Sequence, residues 1–340
     1  MSSQPIDVEE ILPIEDPSCG LRGFIVIHST VRGPATGGIR LYPYASDEAA
    51  RTDGFRLARA MTFKAAAADL PVGGGKIVLF DAPGLERDKA LRSVGRTLES
   101  MNGAFLAGRD VGIPVADGAI IQSQTRYMVD ESDEGVGDLN LVTALGVLAG
   151  ARAALAFRLG TSSFRGIRVA LQGTGGVGRW LATKLTEEGA VLTVCDTSRA
   201  ALEALRETGP FREVPPDAIC DVECELFAPC AIGGAVDTDT AKRIKASVVA
   251  GSANNILSGP EAGATLMARG ITYAPDFLVN AGALVQGVRF LLKGERRSPD
   301  AILDIGMRTT QLLEKARDRD VPPEALLEAV TRERLELGSI

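Results

Sequence analysis

The chain has 340 residues, of which 45% are hydrophobic and 24% charged, as in an ordinary soluble globular protein. A formal net charge of −7 and a sequence pI near 5.1 argue against nucleic acid or an anionic membrane as the main partner. The length exceeds the size at which one hydrophobic core usually stops growing, so two domains are expected.

Targeting and redox features predict a cytoplasmic protein. We see no apolar run of transmembrane length, and the acidic segment 1–16 lacks the layout of a signal peptide. Five cysteines are an odd number in a large chain, which predicts reduced thiols. Cys220 and Cys224 lack a second pair or histidines to complete a zinc site, so no metal is expected. The single histidine, His28, lies in a strand-like run and is interpreted as structural.

The first third of the chain is predicted to mix strands and helices. Strands are predicted at 21–31, 38–44, 76–80 and 104–107, and helices at 46–68 and 87–101. Ser46 is the predicted N-cap of the first helix. Leu57, Met61, Lys64 and Ala68 recur at the spacing of one helical face, so Lys64 should point where apolar residues point.

Two lysines, Lys64 and Lys76, lie in the apolar stretch 60–80, where Asp69 is the only other charge. Desolvating an ammonium costs several kcal/mol, so a lysine is rarely buried without a partner. The pair therefore indicates a site where burial tunes one amine and the other binds an anion.

The second half of the chain predicts a nucleotide-binding fold. The acidic, glycine-rich segment 130–138 is the expected hinge, and a helix is predicted at 141–159. Apolar strands then alternate with helices, which is typical of a parallel, doubly wound sheet. The fold class is therefore α/β with two domains: an N-terminal α/β substrate domain with an open sheet over 1–134, and a Rossmann-type domain over 135–318.

The segment 173–178, GTGGVG, fits G-x-G-x-x-G after a predicted strand and before a predicted helix. Its helix N-terminus would offer free N–H groups to a pyrophosphate. Asp196, at the end of the next strand, would bind the ribose hydroxyls and repel a 2′-phosphate, which favours NAD, although Arg199 leaves NADP open. The residues predicted to contact the dinucleotide here are Gly173, Gly175, Gly176, Val177, Gly178, Asp196 and Thr197.

Eight blocks in order resemble the Glu/Leu/Phe/Val dehydrogenase family, in its shorter NAD-dependent leucine and phenylalanine dehydrogenase branch. The resemblance covers nearly the whole chain. The blocks are GPATGGIRLYPY, MTFKAAAADLPVGGGK, GRDVG, VTALGV, QGTGGVG, FAPCAIGG, AGSANN and YAPDFLVNAG.

This resemblance implies reversible oxidative deamination of an L-amino acid to a 2-oxo acid and ammonia, with NAD taking the hydride. Lys64 would bind the substrate carboxylate as a fixed point charge. Lys76, its pKa lowered by desolvation and by a cationic neighbour, would activate water for attack on the imino carbon. Asp110 would pair with the substrate nitrogen and carry protons to and from it.

The resemblance also places residues around the cofactor and the substrate. Thr143, Asn254 and Asn280 would lie near the nicotinamide or its ribose, with Asn280 also near the substrate. Cys230 and Ala231 would line the cofactor, although core packing could explain their loop. Gly38 and Arg40 would lie near the mouth of the substrate pocket, unless Arg40 is structural. Relatives further imply a cleft between the domains, the return of the helices of 319–340 to the first domain, and a homo-oligomer.

Three departures from the family bear on the substrate. Branched-chain enzymes tend to carry alanine where this chain has Gly108, and a valine or leucine usually stands at Gly287. Ala283 replaces a family glycine. The enlarged pocket is expected to favour Phe or Trp over Val, unless Leu284 or Phe290 fills the space.

Arg109, beside Asp110, could contact a polar substrate, lower the pKa of the aspartate or reach solvent, and the last is favoured. Leucine or valine as substrate, an unusual amino or imino acid, and a non-catalytic NAD-binding protein remain the alternatives.

Overall fold

The computed structural model describes residues 10–337, which form two compact units. Among the described residues, the first unit contains those up to Asp138, Leu284–Arg297 and those from Thr331 onward. The second unit contains Leu139–Ala283 and Ser298–Val330.

The first unit is built on a mixed five-stranded sheet. Its elements are β1 (Glu10–Asp16), β2 (Leu21–Ser29), β3 (Ala35–Tyr42), α1 (Asp47–Ala67), β4 (Gly74–Phe80), α2 (Arg87–Ser100), β5 (Phe105–Arg109) and α3 (Val115–Gln122). The strand order is β1-β2-β4-β3-β5. Strand β4 runs antiparallel to β2 and parallel to β3, and β3 runs parallel to β5. The parallel strands β4, β3 and β5 are therefore neighbours, and they carry the candidate site.

Helix α1 packs closely on this sheet because its inner face is made of small residues. Ser46 caps the helix as predicted, since its side chain accepts the N–H of Ala49. A Cβ on Gly54 would lie 2.9 Å from Val26 Cγ2, so only glycine allows this approach to β2. Lys64 is only half-buried, on a side of the helix where Met61 is half-buried too. The helical face that carries Leu57, Met61 and Lys64, which was predicted to be apolar, is therefore only partly buried.

Strand β1 was not predicted from the sequence. It is an edge strand, paired antiparallel with β2, and it contains Pro13 and exposed acidic residues. Proline and charge are tolerated at an edge, and they hide the alternation that identifies a half-buried strand.

The second unit begins with α4 (Leu139–Leu159) and continues as alternating strands and helices. These are β6 (Arg168–Gln172), α5 (Gly176–Glu187), β7 (Val191–Cys195), α6 (Arg199–Arg206), β8 (Arg212–Glu213), a 3-10 helix (Pro216–Asp221), β9 (Leu226–Pro229), α7 (Thr238–Arg243), β10 (Val248–Val249), α8 (Pro260–Ala268), β11 (Thr272–Tyr273) and α9 (Asp276–Val279). The last helices are α10 (Gly282–Lys293), α11 (Pro299–Arg319) and α12 (Pro323–Leu337).

The six strands of this unit form an all-parallel sheet in the order β11-β10-β9-β6-β7-β8. Strand order reverses between β6 and β9, the switch point of a doubly wound sheet. The predicted α/β fold with a Rossmann-type sheet is confirmed. Ligands of such sheets bind beyond the carboxyl ends of the strands at the switch point, which is where the predicted glycine-rich loop lies.

Helix α4 is long and apolar enough, by length and composition, to cross a membrane, contrary to our expectation from the sequence. Half of its most apolar window is buried in the structure. Val147, Ala151 and Leu155 belong to the core of the second unit. The helix therefore has the packing of a core helix.

Two segments belong to a different unit from the domain in which they were predicted. Leu284–Arg297, predicted in the nucleotide domain, belongs to the first unit. The predicted return at 319 begins only at Thr331. Leu335 packs against Phe63, and Arg334 Nη1 donates to the Ala66 carbonyl at the end of α1, 2.8 Å away. These contacts attach the last helical turns to the first unit.

Candidate active site

A buried lysine and an aspartate form the centre of the candidate site. Lys76 lies on β4, where all seven residues are buried, and is itself only 5% exposed. Its Nζ lies 2.8 Å from Oδ2 of Asp110, which follows the end of β5. The carboxylate offsets part of the cost of burying the ammonium. The structure thus brings the two predicted catalytic residues into direct contact.

Arg40, on β3, contacts the same aspartate. Its Nε lies 2.8 Å from Asp110 Oδ2, and its Nη1 lies 2.9 Å from Asp53 Oδ2. The hydroxyl of Tyr44 donates to the same oxygen of Asp53 over 2.8 Å. Lys76, Asp110, Arg40 and Asp53 form a row of alternating charges, which we call the charge row. These ion pairs give Arg40 a structural role in holding Asp110 and Asp53, and its place at the mouth of the substrate pocket stays a prediction.

Burial and the neighbouring charges shift the pKa values of the residues in and beside the charge row. Burial lowers the pKa of Lys76 from its ordinary value, against the opposing effect of Asp110. Burial opposes ionisation of Asp110, but the charges of Lys76 and Arg40 prevail and hold its pKa below the ordinary value. Burial and the hydrogen bond to Asp53 raise the pKa of Tyr44 well above its ordinary value. A lysine that loses its proton more readily than usual therefore lies beside a carboxylate that stays ionised.

Gly38, on β3, lies directly against this pair. A Cβ built at Gly38 would be 2.8 Å from Lys76 Nζ and 2.8 Å from Asp110 Cβ. Contacts below about 3 Å require one group to move, and Lys76 has little room because it is buried. Glycine at this position is therefore a condition for the lysine–aspartate contact.

We predict that Gly38→Ala lowers kcat/KM by about 100-fold, because misplacing a catalytic group by about 1 Å has an effect of that size. Steady-state kinetics measures the loss, and thermal unfolding measures any change in stability. Gly259→Ala serves as the comparison, since Gly259 belongs to the second unit and the one atom within 4 Å of its Cβ position is the end of the exposed Glu261 side chain. Equal turnover in wild type and Gly38→Ala would contradict this role.

The second lysine, Lys64, is half-buried in the last turn of α1. The two lysine-bearing elements touch nearby, since a Cβ on Gly74 would lie 2.1 Å from the backbone nitrogen of Thr62. Thr62 and Gly74 each precede a lysine by two residues. The close packing of α1 on the start of β4 thus determines where both lysines lie.

The predicted pocket residues lie on β5 and α10. Gly108 faces open space at the end of β5. Gly287, on α10, is buried, and its Cβ position is 3.1 Å from Cγ2 of Val129. Leu284, one turn earlier on α10, is half-buried. Val129 is a neighbour of Gly287 that we did not identify from the sequence.

Arg109 is only partly exposed, and its guanidinium binds protein groups instead of extending into solvent as expected. Its Nε and Nη2 donate to the two carboxylate oxygens of Glu131, at 2.6 and 2.5 Å. Its Nη1 donates to the Ile113 carbonyl, 2.9 Å away. Glu131, 22 residues further along the chain, carries no local signal that would have identified it.

In the second unit, the glycine-rich loop has the geometry expected of a dinucleotide site. Gly173 has φ +93°, and a Cβ there would lie 2.7 Å from the Cβ of Ala231. A Cβ on Gly178 would lie 2.0 Å from the Gly173 carbonyl oxygen, so α5 packs closely on β6. Gly175 has no atom within 4 Å of its Cβ position, which leaves the first turn of α5 open to a phosphate. Val177 and Gly176 lie in that turn.

Asp196 is held by the glycine-rich loop. Its Oδ2 accepts the backbone N–H of Thr174 at 2.6 Å and the hydroxyl at 2.9 Å, and its Oδ1 accepts the N–H of Ser198 at 2.7 Å. Burial opposes ionisation, but these hydrogen bonds keep the pKa below its ordinary value. Thr197 is exposed beside it. Arg199, which had left NADP open, is paired with Glu203 and Glu213.

The remaining predicted cofactor residues lie after β9, after β10, in α4 and after α9. The N–H of Cys230 donates to the Gln172 carbonyl over 2.7 Å, which places Cys230 beside β6. Asn280 is 2% exposed, and its Nδ2 donates to Oδ1 of Asn254 over 3.1 Å. The hydroxyl of Thr143 donates to the Leu139 carbonyl within α4, 2.9 Å away.

Two buried acceptors fit a bound group. Oδ1 of Asn280 and Oε1 of Gln172 have no hydrogen-bond partner within the described range 10–337. Buried polar atoms are nearly always paired, so unpaired acceptors in a ligand-binding region indicate donors supplied by a ligand. Together with the open turn at Gly175, these acceptors suit a dinucleotide.

Comparisons with known proteins agree with this geometry. A family model described as Glu/Leu/Phe/Val dehydrogenase, dimerisation domain, matches residues 9–134, and one described as Glutamate/Leucine/Phenylalanine/Valine dehydrogenase matches 196–288. A leucine dehydrogenase of Thermoactinomyces intermedius is 39% identical, over 97% of this chain and 92% of the relative. The chain belongs to the Glu/Leu/Phe/Val dehydrogenase family. The predicted family membership is therefore confirmed.

Other relatives are named for different amino acids. A phenylalanine dehydrogenase of Bacillus thermotolerans is 40% identical, over 82% of this chain and 75% of the relative. The crystal structure of L-tryptophan dehydrogenase from Nostoc punctiforme aligns with a TM-score of 0.80 and 32% identity, over 97% of this chain and 96% of that chain. Amino acid dehydrogenase activity is thus the function that these relatives support.

Proposed function

We propose that the protein is an NAD-dependent L-amino acid dehydrogenase that reversibly converts an apolar, aromatic amino acid to its 2-oxo acid and ammonia. The observation that carries this proposal is the buried contact between Lys76 and Asp110. A protein that only binds a nucleotide has no need for an ammonium buried in its other unit, because such burial costs several kcal/mol.

Lys64 and Lys76 would have different roles toward the substrate. Lys64, at the half-buried end of α1, would bind the carboxylate of the amino acid. Lys76 in its amine form would take a proton from the water that attacks the imino carbon, and its lowered pKa makes that form accessible. NAD, when bound, supplies the acceptor for the hydride released from the substrate Cα.

Asp110 would accept a proton from the substrate nitrogen and later return it. Ionised beside Lys76 and Arg40, it can accept a proton from the amino group before oxidation. It can return that proton to the nitrogen as the carbon–nitrogen bond breaks, so that ammonia leaves. The hydroxyl that came from water loses its proton to solvent as the carbonyl forms, and Lys76 releases the first proton of that water to solvent. Asp110 is then ionised again, ready for the next turnover.

The pocket residues support an aromatic substrate. The open space at Gly108 admits a larger side chain than an alanine there would allow. A branched-chain substrate is the second candidate, because Val129 already lies 3.1 Å from the Cβ position of Gly287 and fills part of the space next to this glycine. The names of the relatives include both kinds of amino acid.

The function is tested by following NADH absorbance with each of the common L-amino acids. We expect the highest kcat/KM with Phe or Trp, and less with Leu or Val. Tight NAD binding without NADH formation from any amino acid would overturn the proposal in favour of a non-catalytic protein. Preference for Leu or Val would keep the activity and reject the aromatic substrate.

Substitution of Gly108 by alanine tests the pocket. One added methyl group is expected to shift the ratio of kcat/KM for Phe over Leu by about fourfold toward Leu, as about 0.8 kcal/mol per buried CH₂ implies. The unfolding midpoint should stay unchanged because the site is open. An unchanged Phe to Leu ratio would remove Gly108 from the pocket.

Asp196→Asn tests the choice of cofactor. The substitution keeps the size of the side chain and removes the charge that would repel a 2′-phosphate, so the ratio of kcat/KM for NADP over NAD should rise by about tenfold or more. Arg199→Ala is the control, since Arg199 is paired with Glu203 and Glu213 and should not affect this ratio. An unchanged ratio in Asp196→Asn would contradict the assigned role.

We further propose a homo-oligomer, which the description of the matched N-terminal model as a dimerisation domain supports. A cytoplasmic location fits the five free cysteines. The partners of the enzyme would be the amino acid, the 2-oxo acid and ammonia, with no role for nucleic acid or membrane.

A further inference from the structure

Arg109, immediately before Asp110 in the chain, forms a partly buried ion pair with Glu131. The side chain of Glu131 is 7% exposed and that of Arg109 is 21% exposed. All three guanidinium nitrogens donate: two to the carboxylate of Glu131 and one to the Ile113 carbonyl. Each guanidinium nitrogen therefore has a partner within the first unit.

The partners of Arg109 lie on either side of the turn that carries Asp110. Ile113, whose carbonyl Arg109 binds, donates its own N–H to the Asp110 carbonyl over 3.1 Å and so closes the turn. The stem of Arg109 packs on α3, where a Cβ on Gly118 would lie 2.6 Å from its Cδ. One side chain thus connects the end of β5, the turn 110–113, helix α3 and Glu131.

We propose that Arg109 is a positioning residue that, paired with Glu131, clamps the turn 110–113 and so holds Asp110 between Lys76 and Arg40. We call Arg109, Glu131 and the Ile113 carbonyl the turn clamp. The inference rests on the proposed function, in which Asp110 moves the protons of the substrate nitrogen.

The clamp requires a guanidinium rather than any cation. A planar fork can bind both oxygens of a carboxylate while a third nitrogen reaches a carbonyl, whereas an ammonium is a single point charge. Lysine at position 109 would keep the charge beside Asp110 and lose the fork. The arginine-to-lysine change therefore separates geometry from charge.

The test compares Arg109→Lys with wild type in steady-state kinetics, pH profiles and thermal unfolding. We expect kcat to fall by about 10- to 100-fold, with little change in the KM for NAD. A loosened Asp110 should also move the rising limb of the kcat/KM profile to lower pH, because the carboxylate that favours the ammonium form of Lys76 is held less closely to it. A purely structural loss would lower the amount of active enzyme without moving that limb.

Arg152→Lys is the matched control. Arg152 donates through Nη2 to both carboxylate oxygens of Glu188 and through Nη1 to the Ser162 carbonyl, so it likewise connects a carboxylate and a carbonyl, within the second unit. This variant should keep the wild-type pH profile. Glu131→Gln keeps one acceptor oxygen for Arg109 and should therefore lose less activity than Glu131→Ala.

The outcomes are distinct from those of the proposed function. If wild type oxidises an amino acid and Arg109→Lys has the same kcat and pH profile, the clamp is overturned while the function stands. If wild type forms no NADH with any amino acid, the proposed function itself fails. Should Arg109→Lys not fold, Glu131→Gln decides: wild-type kinetics in both Glu131→Gln and Glu131→Ala would also overturn the clamp.

Discussion

Lys76→Ala is expected to reduce turnover by at least about a thousandfold while leaving NAD affinity within about twofold of wild type. The substitution removes the amine that activates water and stabilises the developing charge, and each of these effects alone reaches about 100-fold or more. The residues proposed to bind NAD belong to the second unit, and the substitution leaves them unchanged.

Folding should survive this substitution. Asp110 keeps Arg40, whose Nε lies 2.8 Å from its carboxylate, so it is not left as an isolated buried charge. Lys76→Met, which fills the same space, provides a second variant if the alanine leaves too large a cavity. Steady-state rates and NAD titration measure the two expectations.

Lys89→Ala is the control for Lys76→Ala. Lys89 is an exposed lysine of the first unit, paired with Glu86 on the surface, and it should affect neither rate nor binding. Turnover near the wild-type value in Lys76→Ala would remove Lys76 from the mechanism. A simultaneous loss of NAD binding would instead indicate a misfolded variant.

Asp110→Asn is expected to lower turnover by about 100- to 10,000-fold, because an amide of the same shape cannot carry a proton to and from the substrate nitrogen. It also removes the negative charge between Lys76 and Arg40, so two cations face each other without a counter-charge. Kinetics at saturating substrate measures the loss in kcat.

Asp47→Asn is the matched change at a surface ion pair, since Asp47 and Arg22 are both about half exposed. It should leave kcat unchanged. The double variant Lys76→Ala/Asp110→Asn should lose little more turnover than Lys76→Ala alone, because the effects of residues that act as one unit are not additive. Independent, multiplied losses would argue that Lys76 and Asp110 do not act together.

Much of the fold was accessible from the sequence because it depends on local patterns. Ser46 followed by acidic residues predicted the start of α1, and the largely apolar run KIVLF after Gly75 predicted β4. The loop at Gly173 could be recognised because its glycines meet steric demands that few other residues can meet. Strand β1, with Pro13 at a sheet edge, lacked such a pattern.

The partners of the candidate catalytic residues could not be predicted. Arg40 reaches Asp110 across 70 positions of sequence, and this contact exists only because β3 and β5 are neighbours in the sheet. The pairing of Arg109 with Glu131 likewise depends on the tertiary fold. Charge at a position is visible in a sequence, but the partner that neutralises it is set by topology.

The central claim is that a buried, readily deprotonated Lys76 coupled to Asp110 drives the reaction, and the pH dependence of kcat/KM for amino acid oxidation tests it most directly. The rate of wild type should rise with pH and level off with an apparent pKa below 10.5, the ordinary value for lysine. In Asp110→Asn this limb should move to still lower pH, because the carboxylate that favours the ammonium is gone. An identical limb in both proteins, or one at the ordinary pKa of lysine, would contradict the account.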